Sequence, residues 1–284
     1  MAQGTTRTAK PTTTAVALLR ASHFPPTIAV VALATGLAAL NHRSVPGCAA
    51  VAAAVLAGQL STGWSNDWLD ATRDAHVGRT DKPIVSGAVS ARTVGTAAII
   101  AVLAAVPLSM LSGWRAATVH LVALASAWSY NVGLKSTILS PLPYGVSFGL
   151  LPAFVTLGPP TGTWPRPGLM VAAGLLGIGA HFINTLADRS DDARTGVRGL
   201  PQRLPPTSVL TVGVLLLAGC AGAIWSLSSG PRGVGVVLLV ACLVVDLGVV
   251  VSARVGSGRL AWRLTLVSVG CCLLLFAAAP PTLV

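Results

Sequence analysis

The stretch Asn66–Pro83, "NDWLDATRDAHVGRTDKP", contains Asp67, Asp70, Asp74 and Asp81, half of the eight acids in a chain of 284 residues. Hydrophobic residues make up 53% of that chain and charged residues only 10%. So polar a stretch is therefore a break between apolar runs, and the runs on either side, 45–64 and 93–112, are each about as long as a helix that crosses roughly 30 Å of hydrocarbon. Working outward in both directions predicts nine such spans: 21–40, 45–64, 93–112, 115–132, 141–158, 168–187, 208–228, 233–252 and 260–279. Only two connections are long, 65–92 and 188–207. The fold class predicted is all-α, a polytopic membrane bundle of nine transmembrane helices. A single domain over 21–284 follows a flexible, polar N-terminal segment, residues 1–20, which lacks the apolar core and cleavage site of a signal peptide.

The net charge is +11. No basic stripe lies on a soluble fold, which excludes a nucleic-acid partner; Lys and Arg fall between the apolar runs, as membrane topology requires. Arg43, Arg115, Arg166 and Arg232 fall on one side of the predicted spans, and the other 15 of the 19 basic residues on the opposite side. This bias predicts an integral protein of a bacterial plasma membrane, with its N-terminus and both long loops cytoplasmic. Cys48, Cys220, Cys242, Cys271 and Cys272 lie inside apolar runs without metal-binding spacing and read as packing residues.

The second long loop repeats the pattern of the first. "NTLADRSDDARTGVRGLPQRL", Asn184–Leu204, contains Asp188, Asp191 and Asp192, and there is no Glu anywhere. Asp67, Asp70 and Asp74 follow i, i+3, i+7 spacing, with Asn66 one turn before Asp70; Asn184, Asp188 and Asp192 follow i, i+4, i+8. On helices each set shares a face. Paired carboxylate faces suit Mg²⁺, which takes oxygen ligands and is shared with substrate phosphates. Arg79, Lys82, Lys135 and Arg198 are placed to take the phosphate oxygens the metal leaves free. The combination suits a diphosphate with an apolar tail.

"NDWLDATRD" resembles the NDxxDxxxD motif of the UbiA superfamily of intramembrane prenyltransferases, "RTDKP" the basic residue and proline that follow it, and "NTLADRSDD" the second, DxxxD motif. The resemblance covers nearly the whole chain and implies nine helices around a central cavity. It implies metal ligation by Asp67, Asp70, Asp74, Asp188 and Asp192, and diphosphate binding by Asn66, Arg79, Lys82, Lys135, Asn184 and Arg198. Asp70, Asp188 and Lys135 would carry catalysis. Lys135 in "SYNVGLKST" matches the family's basic residue after the fourth span, although the usual Tyr four places earlier is here Asn131, with Tyr130 one place further back. The activity implied is Mg²⁺-dependent transfer of a prenyl group from prenyl diphosphate to a lipophilic or aromatic acceptor within membrane lipid. A terpene cyclase of the same superfamily and a cation or phosphorylated-solute transporter are the rival readings.

Outside the two loops, Asp246 is the one acid within a span. It reads as a structural or protonated, hydrogen-bonded group near Arg254 or Arg263. His181 lies one turn before Asn184 and either reaches the cavity or makes a helix-packing hydrogen bond. His23 and His120 are expected at the membrane interface, as are Trp64, Trp68, Trp114, Trp164 and Trp262, with cover of the diphosphate site as the alternative for Trp68.

Overall fold

The computed structural model describes residues 13–227 and 232–278. In chain order the helices are α1 (Thr14–Ala21), α2 (Phe24–Leu40), α3 (Val45–Leu69), α4 (Ala71–His76), α5 (Ala91–Met110), α6 (Trp114–Val132), α7 (Leu142–Gly149), α8 (Leu151–Thr156), α9 (Pro167–Thr195), α10 (Leu200–Arg203), α11 (Pro206–Leu227), α12 (Arg232–Arg254) and α13 (Gly258–Ala278). Among the described residues every regular element is helical, as the sequence predicts. Helices α2, α3, α7, α8 and α9 each have Pro at one of their first two positions, where a missing N–H costs no intrahelical bond. Ser44 and Ser90 cap α3 and α5, accepting from the backbone N–H groups of Gly47 at 3.3 Å and Thr93 at 3.0 Å.

Six helices, α3, α5, α9, α11, α12 and α13, are long and apolar enough to cross a membrane, or seven if the bent pair α1–α2 is one span. The predicted count of nine thus differs at two places. The 141–158 segment is split at Leu150, with Pro152 at the start of the second piece, into α7 and α8. Helix α6 is 19 residues long and carries Arg115, His120 and Asn131.

The flexible segment predicted for residues 1–20 also needs correction: residues 1–12 lie outside the described residues, but Thr14–Ala21 is helix α1. Ala17 and Ala21 are fully buried in a small core with Val89 and Val94, against which Trp64 and Trp68 pack. The Trp64 indole N–H donates to the Leu18 carbonyl at 2.8 Å. Those two tryptophans are therefore packing residues that pin the first acidic loop back onto α1 and α5.

Helix α3 packs on α2, α5 and α6, and α9 on α7, α11 and α13. Two close approaches set these distances. A Cβ at Gly63 would lie 2.5 Å from the Ser22 carbonyl oxygen, and one at Gly177 would lie 2.6 Å from that of Tyr144. Glycine thus seats α3 against the bend between α1 and α2, and α9 against α7. With 29 residues, α9 is roughly 44 Å long at 1.5 Å per residue, well beyond the hydrocarbon thickness. That length is enough for a span of about 20 residues and still leaves the last two turns, carrying Asp188, Asp191 and Asp192, beyond it. The other end is tied by Arg43, buried without an acid, which donates to the Val155 carbonyl at 2.9 and 3.2 Å and to Ser112 at 3.0 Å. It satisfies a carbonyl near the end of α8, which has no helical partner.

Candidate active site

Both acidic loops meet at one end of the bundle, over a cavity of about 540 Å³ lined by α2, α3, α4, α6, α7, α9 and α13. Arg79, in the loop after α4, reaches Asp188 and Asp191 on α9, each at 3.4 Å, and Arg194 donates to the Val77 carbonyl at 3.4 Å. The helical periodicity of the two Asp sets and their separation by about a hundred residues are thus resolved into facing walls of a single chamber.

Nine of the predicted site residues line it: Asn66, Asp70, Asp74, Arg79, Lys82, Lys135, Asn184, Asp188 and Asp192. Asp70 stands at the break between α3 and α4 and is held from three directions. Arg73 donates to it at 2.6 Å, Asn66 at 3.2 Å, and the Lys135 ammonium forms a direct ion pair. Lys135 is buried in the single 3₁₀ turn Leu134–Ser136; burial lowers its pKa, and the charge of Asp70 opposes that shift. Burial, followed by the like charge of Asp70, raises the pKa of Asp74 above the usual carboxylate range despite nearby Lys82, Arg73 and Arg79. Asp74 accepts no side-chain hydrogen bond among the described residues. Burial alone would lower the Arg79 pKa, but its bonds to Asp81 and the charges of Asp188 and Asp74 raise it. On the other wall Gln202 donates to Asp192 at 2.8 Å.

Two predicted residues fall elsewhere. Asp67 does not share the face of Asp70 and Asp74, because α3 ends at Leu69 and the chain restarts as α4. It is 2% exposed, paired with Lys82, and bonded to His23 at 2.9 Å. Its place is behind the wall, holding two residues that do line the cavity. Arg198 is exposed outside the chamber, past the left-handed turn at Gly196, which brings Val197 to the lining instead.

Other lining residues were not singled out for the site from sequence: Arg73, Asp191, Tyr144, Arg259 and Arg263, with Tyr130 off the expected register. The register is explained by Asn131, which donates to the Thr62 carbonyl at 2.9 Å and Ser65 at 2.8 Å and accepts from Asn66 at 3.3 Å. It orients Asn66 and frees Tyr130 to form an aromatic wall with Tyr144, the two rings 5.2 Å apart edge to face. His181 backs that wall, stacked on Tyr144 at 4.6 Å and bonded to Ser140 at 3.1 Å, so the packing alternative holds. His23 lines the cavity, whereas His120, expected at the interface, is buried, bonded to Ser109 at 2.7 Å and stacked on Phe154 at 4.4 Å. Trp262, expected there too, lines the cavity. Asp246 lies apart, accepting from Ser268 at 2.8 Å with no Arg partner among the described residues.

Among the described residues no three His, Cys, Asp or Glu side chains form a closed metal cluster. The donor set nevertheless fits Mg²⁺, which is usually held by one or two carboxylates plus waters and substrate phosphates. Asp74 offers an unengaged carboxylate across the chamber from Asp188 and Asp192.

The fold and site therefore define a helical integral-membrane protein with an acid-lined, cation-studded chamber at one end of its bundle. The chain belongs to the UbiA prenyltransferase family, whose profile matches residues 11–267. It is 29% identical over 168 residues to 4-hydroxybenzoate octaprenyltransferase of Escherichia fergusonii, covering 55% of this chain and 57% of that protein. It is also 29% identical over 159 residues to the enzyme of the same name from Enterobacter sp., covering 54% of each. The chain thus spans about half the length of the curated relatives it matches. The apo structure of a UbiA homologue from Aeropyrum pernix K1 superposes with a TM-score of 0.72 at 21% identity, covering 89% of this chain and 97% of that one. A UbiA homologue from Archaeoglobus fulgidus bound to GPP and Mg²⁺ gives 0.66 at 13% identity, covering 91% and 99%.

Proposed function

We propose that this protein transfers a prenyl group from prenyl diphosphate to a lipophilic or aromatic acceptor, with Mg²⁺ as cofactor, in a bacterial plasma membrane with both Asp-rich loops cytoplasmic. The observation that carries the proposal is the convergence of the two Asp-bearing walls, with Lys135, Arg73, Arg79 and Lys82 between them, on one chamber that continues into apolar helix surface. A structural relative binding GPP and Mg²⁺ supports it.

Asp70, Asp74, Asp188 and Asp192 would hold the metal, which when bound supplies charge neutralisation for the departing diphosphate. Lys135 and Arg79 are positioned to exchange their Asp partners for diphosphate oxygens, and Lys82, held from behind by Asp67, would add its charge from the wall; together they would meet the negative charge that grows as the bond breaks. Asn66 would orient the same group, fixed by Asn131. Tyr130 and Tyr144, both in the chamber lining, would set aromatic surface near the carbon that becomes electron-poor, while the apolar helix surface excludes water from it. The bond from the prenyl carbon to the diphosphate oxygen breaks, diphosphate leaves with the electron pair, and the acceptor forms the new bond and loses a proton.

Below this chamber a second cavity of about 50 Å³ shares Val30, Gln59, Thr62, Ala127, Ser147 and Phe148 with it and ends at the stacked pair His120–Phe154. It offers the prenyl tail a path into the bundle. The test is incubation of the purified protein with Mg²⁺, prenyl diphosphates of graded length and a membrane extract, with mass spectrometry of the lipid products. Prenylated acceptor supports the reading. Rapid formation of a cyclic hydrocarbon with no acceptor present would assign a cyclase instead.

A further inference from the structure

The cations lining the chamber fall into two groups. Arg73, Arg79, Lys82 and Lys135 each pair with an Asp. Arg259 and Arg263, on the first two turns of α13, line the same chamber and reach none of the eight Asp, all of which are described. Their i, i+4 spacing puts them on one face, where like charges repel, and they stand at the positive end of the helix dipole. Nothing among the described residues compensates that cost. Both side chains are exposed, so each can swing to an incoming ligand.

Their location fixes what that ligand is. A Cβ at Gly258, just before the pair, would lie 3.1 Å from the backbone of Ala187, so α13 begins against α9 at the level of Asp188. The arginines therefore flank the carboxylate chamber from a wall of their own. Trp262, one residue before Arg263, lines the same chamber, as do Leu266 and Val269 further along α13 and Pro25, Pro26 and Val30 of α2. Two forked cations above an aromatic and aliphatic surface suit an amphiphilic anion, since guanidinium groups take carboxylate or phosphate through paired hydrogen bonds while the body packs below.

We propose that Arg259 and Arg263 form a second anion site, which takes the carboxylate or phosphate of the acceptor and so makes an anionic, lipophilic molecule the acceptor class. This deepens the prenyl-transfer reading and rests on it. Anchored there, the acceptor's body lies along Trp262, beside the chamber in which the prenyl carbon is released.

The test uses the full chain in phosphatidylcholine nanodiscs and measures equilibrium binding of matched probes, 4-hydroxybenzoate with 4-hydroxybenzamide and dodecyl phosphate with dodecanol. Each pair is measured with and without Mg²⁺ and a non-reactive geranyl thiodiphosphate. In at least one pair the anion is expected to bind about tenfold or more tighter than its neutral twin. The R259Q/R263Q double variant should lose that preference while Mg²⁺-dependent thiodiphosphate binding and Tm stay unchanged, and R263K should keep part of it. Equal binding within both pairs, or a preference that survives in the double variant, overturns the proposal. So does loss of thiodiphosphate binding in the variant, which would give the arginines to the diphosphate. Loss of co-purifying anionic lipid from the variant, with probe preference unchanged, would give them to lipid headgroups and overturn it too. If the wild type fails to bind thiodiphosphate, it is the prenyl-transfer reading that fails, while the anion preference is still read from the probes alone.

Discussion

Asp70 and Asp67 are three residues apart, yet they have opposite surroundings. Asp70 faces the chamber among Lys135, Arg73 and Asn66; Asp67 is sealed behind it with Lys82 and His23. The break at Asp70 makes the difference, and it separates two kinds of mutational outcome. Asp74→Asn or Asp188→Asn replaces a chamber carboxylate by an amide of nearly the same shape, so each variant should fold. Each should lose on the order of 100-fold in kcat, as removal of a principal electrostatic contributor does, with a raised Mg²⁺ requirement; steady-state turnover against Mg²⁺ concentration checks this. Lys135→Ala should cost less, because Arg73 and Arg79 remain beside the diphosphate. Asp67→Asn should behave differently. It leaves the Lys82 ammonium without its buried partner, a loss of about 3 kcal/mol, so Tm should fall while the Mg²⁺ concentration for half-maximal turnover stays within twofold of wild type. A shifted Mg²⁺ requirement with unchanged Tm would return Asp67 to the metal.

At the scale of elements, the split of the 141–158 segment into α7 and α8 matters most. The first piece carries Tyr144 against α9 at Gly177, and residues around the break, Ser147, Phe148, Leu150, Leu151 and Phe154, line the small cavity that also touches His120. Ala127 of α6 sits on the wall common to both cavities. Ala127→Phe should therefore close the passage: turnover with the longest prenyl diphosphates used should fall at least about tenfold relative to the shortest, since a pocket blocked by several carbons discriminates at that level or more. Equal losses at every chain length would place the tail elsewhere. The acidic faces, their asparagines and the helical class were legible because periodicity and composition are local properties. The side of the wall on which Asp67 falls was not, because it depends on a helix break that residue spacing does not encode. Arg259 was legible as a topogenic charge, and Arg263 as that or as a neighbour of Asp246. Their chamber-facing position is set by α13 packing on α9, a contact between elements some seventy residues apart. Likewise α1 read as part of a polar tail because it is only eight residues long and follows a polar stretch, and its docking through Ala17, Leu18 and Ala21 is a tertiary contact.

For the whole molecule, the two loops form one site only if they emerge on one side of the membrane, and the bundle meets that condition through the Arg79 link from the first loop to Asp188 and Asp191. The basic residues predict which side it is. Cytoplasmic segments retain Lys and Arg, and the loop end of the bundle carries Arg73, Arg79, Lys82, Arg189, Arg194 and Arg198, against Arg43, Arg115 and Arg166 at the other. Single cysteines introduced at Thr80, Arg198 and Thr163 test the arrangement in a background whose five native cysteines have been replaced. All three positions are exposed, the first two in the Asp-rich loops and the third between α8 and α9 at the opposite end. In intact cells a membrane-impermeant maleimide should label Thr163→Cys alone, and in inverted vesicles it should label Thr80→Cys and Arg198→Cys alone. Mg²⁺ with a prenyl diphosphate should slow labelling at Thr80, next to Arg79, more than at Arg198, which stands outside the chamber. Labelling of the two loop positions from opposite sides would break the single-chamber architecture. Labelling of both from outside the cell would keep the chamber but reverse its orientation, and the diphosphate would then have to be supplied from the external face.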